Sequence, residues 1–275
     1  ARLLAANNSQ APITAMANTT KTTVEGLAEA LAGEGVAARP HPWLADCLIL
    51  SKTGNLERLA AFRDGLFYVQ DPASKLAALA LDPKPDMQVL DCCAAPGGKS
   101  FACAIRMEGR GEVISCDLHP HKKKLIQAGA DRLGLENITP MTADGKAFRP
   151  EWESAFDRVL VDAPCSGLGV IRKKPDIRYK DPGPLADLPQ VQRAILDNAA
   201  RYVKPGGVLV YSTCTFLRRE NEEVALGFLK DHPDFQAEGF RLPEYAGDGR
   251  TGILTLWPHR QGTDGFFIAK LRRGG

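Results

Sequence analysis

The chain predicts a mostly parallel, doubly wound α/β sheet, closed by an antiparallel hairpin and preceded by a small α+β unit. Three observations carry that expectation. From Asp71 onward, apolar strand-like runs alternate with helical patterns, the arrangement that gives a parallel sheet with right-handed crossovers. The strand-like run Val89-Leu90-Asp91 breaks at Pro96-Gly97-Gly98 and passes directly into a helical pattern, Phe101 to Met107. Each of the five strand-like runs ends on acidic, thiol or hydroxyl residues, and ligands of such sheets sit beyond the carboxyl ends of the strands.

In order along the chain, residues 1–12 are polar and Asn-rich and read as a linker. The chain opens on Ala1 and not on Met, so a piece of a longer protein is expected. Residues 13–70 form the small α+β unit. Ile13 to Met16 is a possible first strand, and Thr22-x-x-Glu25 reads as a capping box. Val24, Leu27, Ala28 and Leu31 then share one helical face, which Gly33 and Gly35 end. Strands at 47–50 and 66–69 flank a short helix around Leu56 to Phe62. In 71–275, strands are expected at 87–92, 112–116, 138–142, 157–161 and 207–212. The helices expected between and around them are 73–81, 99–107, 120–133, 184–202 and 218–230. Ile253 to Leu256 and Phe266 to Ala269 supply the closing hairpin.

Composition bounds the function. At 275 residues and 44% hydrophobic, the chain can bury a large core. No apolar run is long enough to span a bilayer, and a net charge of +2 neither demands nor excludes nucleic acid. Seven cysteines show no CxxC spacing, which argues against a zinc site. Cys47, Cys103 and Cys116 read as small buried hydrophobes in a reducing cytosol. The expected location is therefore cytoplasmic, with no metal and no membrane.

The glycine turn narrows the ligand. A phosphate-cradling P-loop ends in Gly-Lys-Ser, as Gly98-Lys99-Ser100 does, but it needs a glycine where Cys93 stands. The dinucleotide fingerprint fails for want of a Gly-x-Gly. A nucleoside ligand remains. Asp117, Asp144 and Asp162 end the second, third and fourth strands, while Cys165 and Cys214 follow the fourth and fifth. Asp117 lies where a carboxylate can accept ribose hydroxyls, and Asp144 could accept from an adenine amino group. Neither assignment excludes a nicotinamide or a plain nucleoside.

Val69 to Ser74, Asp91 to Ser100, Asp162 to Gly167, Arg172-x-x-Pro175-Asp176, Ser212 to Thr215 and Asp264 to Phe267 together resemble, in order, the Nol/Nop/Sun RNA cytosine-5 methyltransferases. The resemblance runs from about residue 8 to Leu271, and members acting on small-subunit (16S) rRNA are the most similar. Leu3 to Asn8 looks like the segment that in such members follows an N-terminal NusB-like domain. The chain departs from the pattern at Met16, where the family usually has an Arg.

The resemblance implies a Rossmann-like S-adenosylmethionine-dependent methyltransferase sheet. Its cofactor would be held by Cys93, Ala94, Ala95, Pro96, Gly97, Gly98, Lys99, Asp117, Asp144 and Asp162. It also implies roles for the two thiols. DNA cytosine methyltransferases use a Pro-Cys thiol, which would point to Cys165. RNA members with a second cysteine in Thr-Cys-Thr point instead to Cys214 as the nucleophile that adds to cytosine C6. Cys165 then assists proton loss and release, and Asp162 hydrogen-bonds the base. Arg172, Lys173, Lys174 and Arg178 form a basic loop with Tyr179, read as the RNA contact, while Lys122 to Lys124 and Arg218-Arg219 read as solvated faces. The expected protein is a monomeric enzyme methylating small-subunit rRNA. Its rivals are the same reaction on tRNA or another rRNA position, a non-catalytic RNA-binding scaffold, and a nicotinamide oxidoreductase that the missing Gly-x-Gly disfavours.

Overall fold

A computed structural model describes residues 1–181, 183–243 and 246–275 of the chain. Residues 1–12, expected as linker, carry a short helix α1 (Arg2–Asn7) that rests on α9 (Pro258–Gln261) of the main sheet's closing segment. The small unit is an antiparallel sheet of β1 (Ile13–Ala17), β2 (Ala37–Pro40), β3 (Cys47–Ser51) and β4 (Phe67–Val69), in the order β2-β3-β1-β4. Strand β2 has no sequence signal because it is a short edge strand, largely exposed, with no apolar alternation.

Helix α2 (Val24–Gly33) covers this sheet with Leu27 and Leu31, while the turn at Leu56–Arg58 and α3 (Ala60–Arg63) complete the layer. The expected cap is corrected by one residue. Thr23, not Thr22, accepts the hydrogen bond from the Gly26 amide, and Gly26 has no side chain with which to close a capping box.

The main sheet has the path β10-β12-β9-β8-β5-β6-β7 among the described residues, with β11 beside β12. Its parallel half is β5 (Gln88–Asp91), β6 (Glu112–Asp117), β7 (Ile138–Thr142), β8 (Phe156–Asp162) and β9 (Val203–Thr213). The antiparallel half is β12 (Phe266–Arg273) against β9, with β10 (Phe235–Ala237) and β11 (Ile253–Leu256) along its other edge.

Alternation along these strands splits the core in two. Val89, Leu160, Val208 and Val210 face α4 (Pro72–Leu81), α5 (Gly98–Arg106) and α6 (Pro120–Leu133), whereas Leu90, Val159, Val161 and Leu209 face α7 (Leu188–Ala200) and α8 (Glu222–Asp231). Both faces are covered, which is why the strands read as continuous apolar runs. Among the described residues no helix is long and apolar enough to cross a membrane.

The two units are tied together by polar contacts. Asn18 is fully buried and donates to the carbonyls of Gly65 and Leu133. Arg132 donates to the carbonyls of Phe62 and Phe67 and stacks over the Phe62 ring. Met16, the departure from the family pattern, is fully buried in the core.

Candidate active site

The carboxyl edge of the parallel sheet gathers most of the residues singled out above. After β5 the chain turns at Gly97, whose φ of 114° caps α5, and a Cβ there would come within 2.4 Å of the Phe101 ring. The turn opens the helix N-terminus beside a cleft of about 310 Å³. Asp117, Asp144 and Asp162 line that cleft together with Cys93 and Ala95, and Leu118, Pro164, Val191 and Ile195 supply apolar walls.

Asp117 is 6% exposed. It accepts from the His119 amide and faces Lys122 at 3.4 Å. Asp144 is exposed and accepts from the Lys146 amide. Apolar walls with carboxylates at separated points suit a nucleoside, which needs apolar contact for its rings and acceptors for its hydroxyl and amino groups. Beneath the turn, Asp91 is buried and accepts from Ser100 at 2.8 Å, and burial pushes its pKa up to about 7. Burial also holds the Cys93 thiol well above its ordinary range, so it lines the cleft as a neutral group.

The second half of the site lies where β8 and β9 end side by side. Asp162 pairs in register with Ser212 and accepts its hydroxyl at 2.8 Å, while its other oxygen meets the Lys99 ammonium at 2.6 Å. Burial works against the Lys99 charge, but Asp162 and Asp91 outweigh it and hold its pKa above the ordinary lysine value.

The sulfurs of Cys165 and Cys214 stand 3.1 Å apart, both as free thiols. The hydrogen bond from Cys165 lowers the Cys214 pKa against the opposing effect of burial, and Lys99 adds to the lowering. That same bond and burial push Cys165 well above the ordinary thiol range. The two shifts are opposite in direction, so Cys214 is the thiol of the pair that ionises more readily. The five acid and thiol residues read at the strand ends follow the carboxyl ends of neighbouring strands, the three acids on the cleft and the two thiols just past β8 and β9.

The basic loop is different. Arg172 is almost entirely covered, donating to the Gly262 carbonyl at 3.0 Å and to Asp264 at 3.4 Å. Lys173 bridges Asp71 at 2.6 Å and Asp264 at 2.8 Å. Arg178 donates to the Asn7 carbonyl and to the Asn8 side chain. These three cations each have partners within the protein, and Lys173 and Arg178 are at the same time exposed. Lys174, Lys180 and Tyr179 remain on the surface, and among the described residues neither lysine forms an ion pair.

Residues that the sequence pattern left without a role are Ser212, on Asp162, and three fully buried polar side chains behind the thiols, Gln192, Glu220 and Asn221. Glu220 and Asn221 read only as the start of a helix, and no spacing rule marks them.

Comparison with known proteins gives the following. A family description, 16S rRNA methyltransferase RsmB/F, matches residues 78–272, and an RsmF/B-like ferredoxin-like domain matches residues 1–57. The chain is 48% identical over 258 residues to a probable ribosomal RNA small subunit methyltransferase B of Bacillus subtilis, covering 90% of this chain and 57% of that protein. It is 35% identical over 268 residues to ribosomal RNA small subunit methyltransferase F of Escherichia coli, covering 93% of this chain and 56% of that one. The chain thus spans just over half the length of these curated relatives. Among solved structures, a methyltransferase homolog from Pyrococcus horikoshii superposes with a TM-score of 0.83 at 29% identity, covering 99% of this chain and 90% of that one.

Proposed function

The chain belongs to the 16S rRNA methyltransferase RsmB/F family, and from that premise we propose that it transfers a methyl group from S-adenosylmethionine to C5 of a cytosine in small-subunit rRNA. The observation that carries the chemistry is the Cys165–Cys214 pair at 3.1 Å, in the loops that follow β8 and β9, where Asp162 pairs with Lys99 and lines the cleft.

Cytosine C5 is a poor nucleophile until a group adds at C6. Cys214, the thiol with lowered pKa, makes that addition and turns C5 into an enamine carbon. Asp162 hydrogen-bonds the base edge, and the adjoining Lys99 ammonium offsets negative charge that builds on the ring as the sulfur adds. Cys165, having passed its own proton to solvent, takes the C5 proton; the electron pair of that bond forms the C5–C6 double bond, and the Cys214 sulfur leaves C6 as a thiolate. Its thiol at hydrogen-bond distance from Cys214 supports that role.

The lining of the cleft fits S-adenosylmethionine: Asp117 would hold the ribose hydroxyls, Asp144 the adenine amino group, and the turn Cys93 to Lys99 would line the site beside them. When bound, it supplies an electrophilic methyl group on a sulfonium. The test is nucleoside analysis of 16S rRNA incubated with the protein and S-adenosylmethionine. 5-Methylcytidine is expected. A methyl group on ribose or on the exocyclic amine, with none at C5, would overturn the reading.

A further inference from the structure

The β8–β9 ladder ends at Asp162 and Ser212, yet the two thiols that must meet lie beyond it, at positions 165 and 214. Something other than strand pairing holds them 3.1 Å apart. Behind them is a polar cluster with no exposure to solvent. Glu220 accepts from the Ser166 amide at 2.8 Å and from the Gln192 side chain at 3.0 Å, and that Gln192 amide also donates to the Pro164 carbonyl at 3.0 Å. Both peptides flanking Cys165 are thereby fixed.

The next residue does the same for the other thiol. Asn221 accepts from the Thr213 hydroxyl and donates to the Thr215 carbonyl at 3.0 Å, so both neighbours of Cys214 are fixed as well. The two halves are cross-linked by the Ser166–Thr215 hydroxyl pair at 2.9 Å, and the Glu220 carbonyl is anchored by the Tyr211 hydroxyl.

We infer that the consecutive residues Glu220 and Asn221, with Gln192, are positioning residues that set the separation and alignment of the Cys165 and Cys214 thiols. Stability alone does not account for them. Among the described residues Glu220 has no ion pair, and its second carboxylate oxygen is buried without any hydrogen-bond partner. A buried carboxylate without a counterion is costly, and an apolar side chain would fill the same space at less cost. Geometry is what the cluster provides. Catalytic groups need to be held within about 0.5 Å of their productive arrangement, and a loop beyond a strand end does not hold that by itself. Cys165, Asp162, Lys99 and Asp264 act electrostatically on Cys214. The hydrogen bonds of the three clamp residues described above run to the neighbours of the two cysteines and not to their sulfurs, so the clamp acts through the backbone.

The catalytic meaning of the clamp rests on the function proposed above, and its test does not. In protein without RNA, the pH profile of Cys214 alkylation by iodoacetamide, read by peptide mass mapping, reports the thiolate supported by Cys165. Glu220→Ala and Asn221→Ala should raise the midpoint by roughly one unit, a tenfold loss of thiolate at fixed lower pH. Glu220→Gln, which keeps an acceptor for the Ser166 amide, should stay near the parent value. Gln192→Met, close in volume, should move the midpoint the same way by less, and serves if the alanine variants do not fold. S-adenosylmethionine affinity should be unchanged in the folded variants. Folded variants that titrate Cys214 as the parent does would overturn the inference. Methyl transfer surviving in Cys214→Ala would sink the nucleophile assignment and leave the alkylation result standing.

Discussion

The sulfurs of Cys165 and Cys214 are 3.1 Å apart, and that contact lowers the pKa of Cys214 while it raises that of Cys165. That asymmetry divides two chemically identical groups into a donor and an acceptor. Cys165 follows Asp162 by three residues on the β8 loop. Cys214 leaves β9 on the side where the Lys99 ammonium sits between Asp162 and the Phe266 ring. A thiolate next to a cation in a half-buried site is both available and nucleophilic.

Beneath the cofactor turn, Asp91 gives a prediction about stability. Burial raises its folded pKa from 3.8 to about 7, so the folded state holds this proton more tightly than the unfolded chain. A raised pKa contributes stability that is full below the unfolded value and is lost as pH rises through the folded one. Between about pH 4 and pH 7 the protein should lose on the order of 2–4 kcal/mol from this group. Asp264, raised to about 6, shares the window. Asp91→Asn should flatten the fall without abolishing it, as measured by thermal unfolding from pH 4 to pH 8. A slope identical to the parent would show that Asp91 does not titrate there.

Asp117→Ala should weaken S-adenosylmethionine binding by about 1.5–3 kcal/mol, the range for a lost hydrogen bond to a charged group, or roughly 10- to 150-fold in Kd. Asp117 ends β6 at the cleft and is bonded only by the His119 amide and Lys122, so the fold should be intact. Calorimetric titration decides it, and an unchanged affinity removes Asp117 from the site.

How much of this was readable beforehand follows from what each feature depends on. The five parallel strands and the helices between them are local, since buried runs and helical periodicity mark them whatever surrounds them. The Gly97 turn and the strand-end acids are likewise local, because the sheet's topology alone puts them on one rim. Strand β2 was illegible because an exposed edge needs no pattern. The start of α7 at Leu188, and not near residue 184, reflects the turn at Gly183–Leu185 ahead of it. The partners of the basic loop were illegible for a different reason. A run of Arg and Lys looks the same whether it faces solvent or meets Asp71 and Asp264, which lie about a hundred residues before it and ninety after it. Gln192 lies in α7, while Glu220 and Asn221 lie in the turn that leads into α8, and the three were invisible until these segments met the thiol loops.

The basic loop should therefore split under mutation. Lys173→Ala leaves the buried Asp71 and Asp264 carboxylates facing each other and should cost about 1–3 kcal/mol of stability. Lys174→Ala and Lys180→Ala should be neutral for stability. If they reach RNA phosphates, each should lower the slope of log affinity against log salt by up to about one. Thermal unfolding and RNA binding at several salt concentrations separate the two classes. A destabilised Lys174→Ala, or a stable Lys173→Ala with a reduced slope, would reverse them.

The two thiols should fail differently because they act at different times. Cys214 adds first, so Cys214→Ala should abolish methyl transfer and form no covalent complex with RNA. Cys165 acts after the methyl group has reached C5, when the C5 proton must leave before the Cys214–C6 bond can break. Cys165→Ala should therefore still add to the base and then stall, accumulating a protein–RNA complex that survives denaturing electrophoresis. Removing Cys165 also takes away the hydrogen bond that lowers the Cys214 pKa, so the adduct should form more slowly than in the parent and faster as pH rises. The double variant Cys165→Ala/Cys214→Ala should trap nothing. If instead the complex appears in Cys214→Ala and needs Cys165, the order of the thiols is reversed, and the lowered pKa of Cys214 marks a base and not the nucleophile.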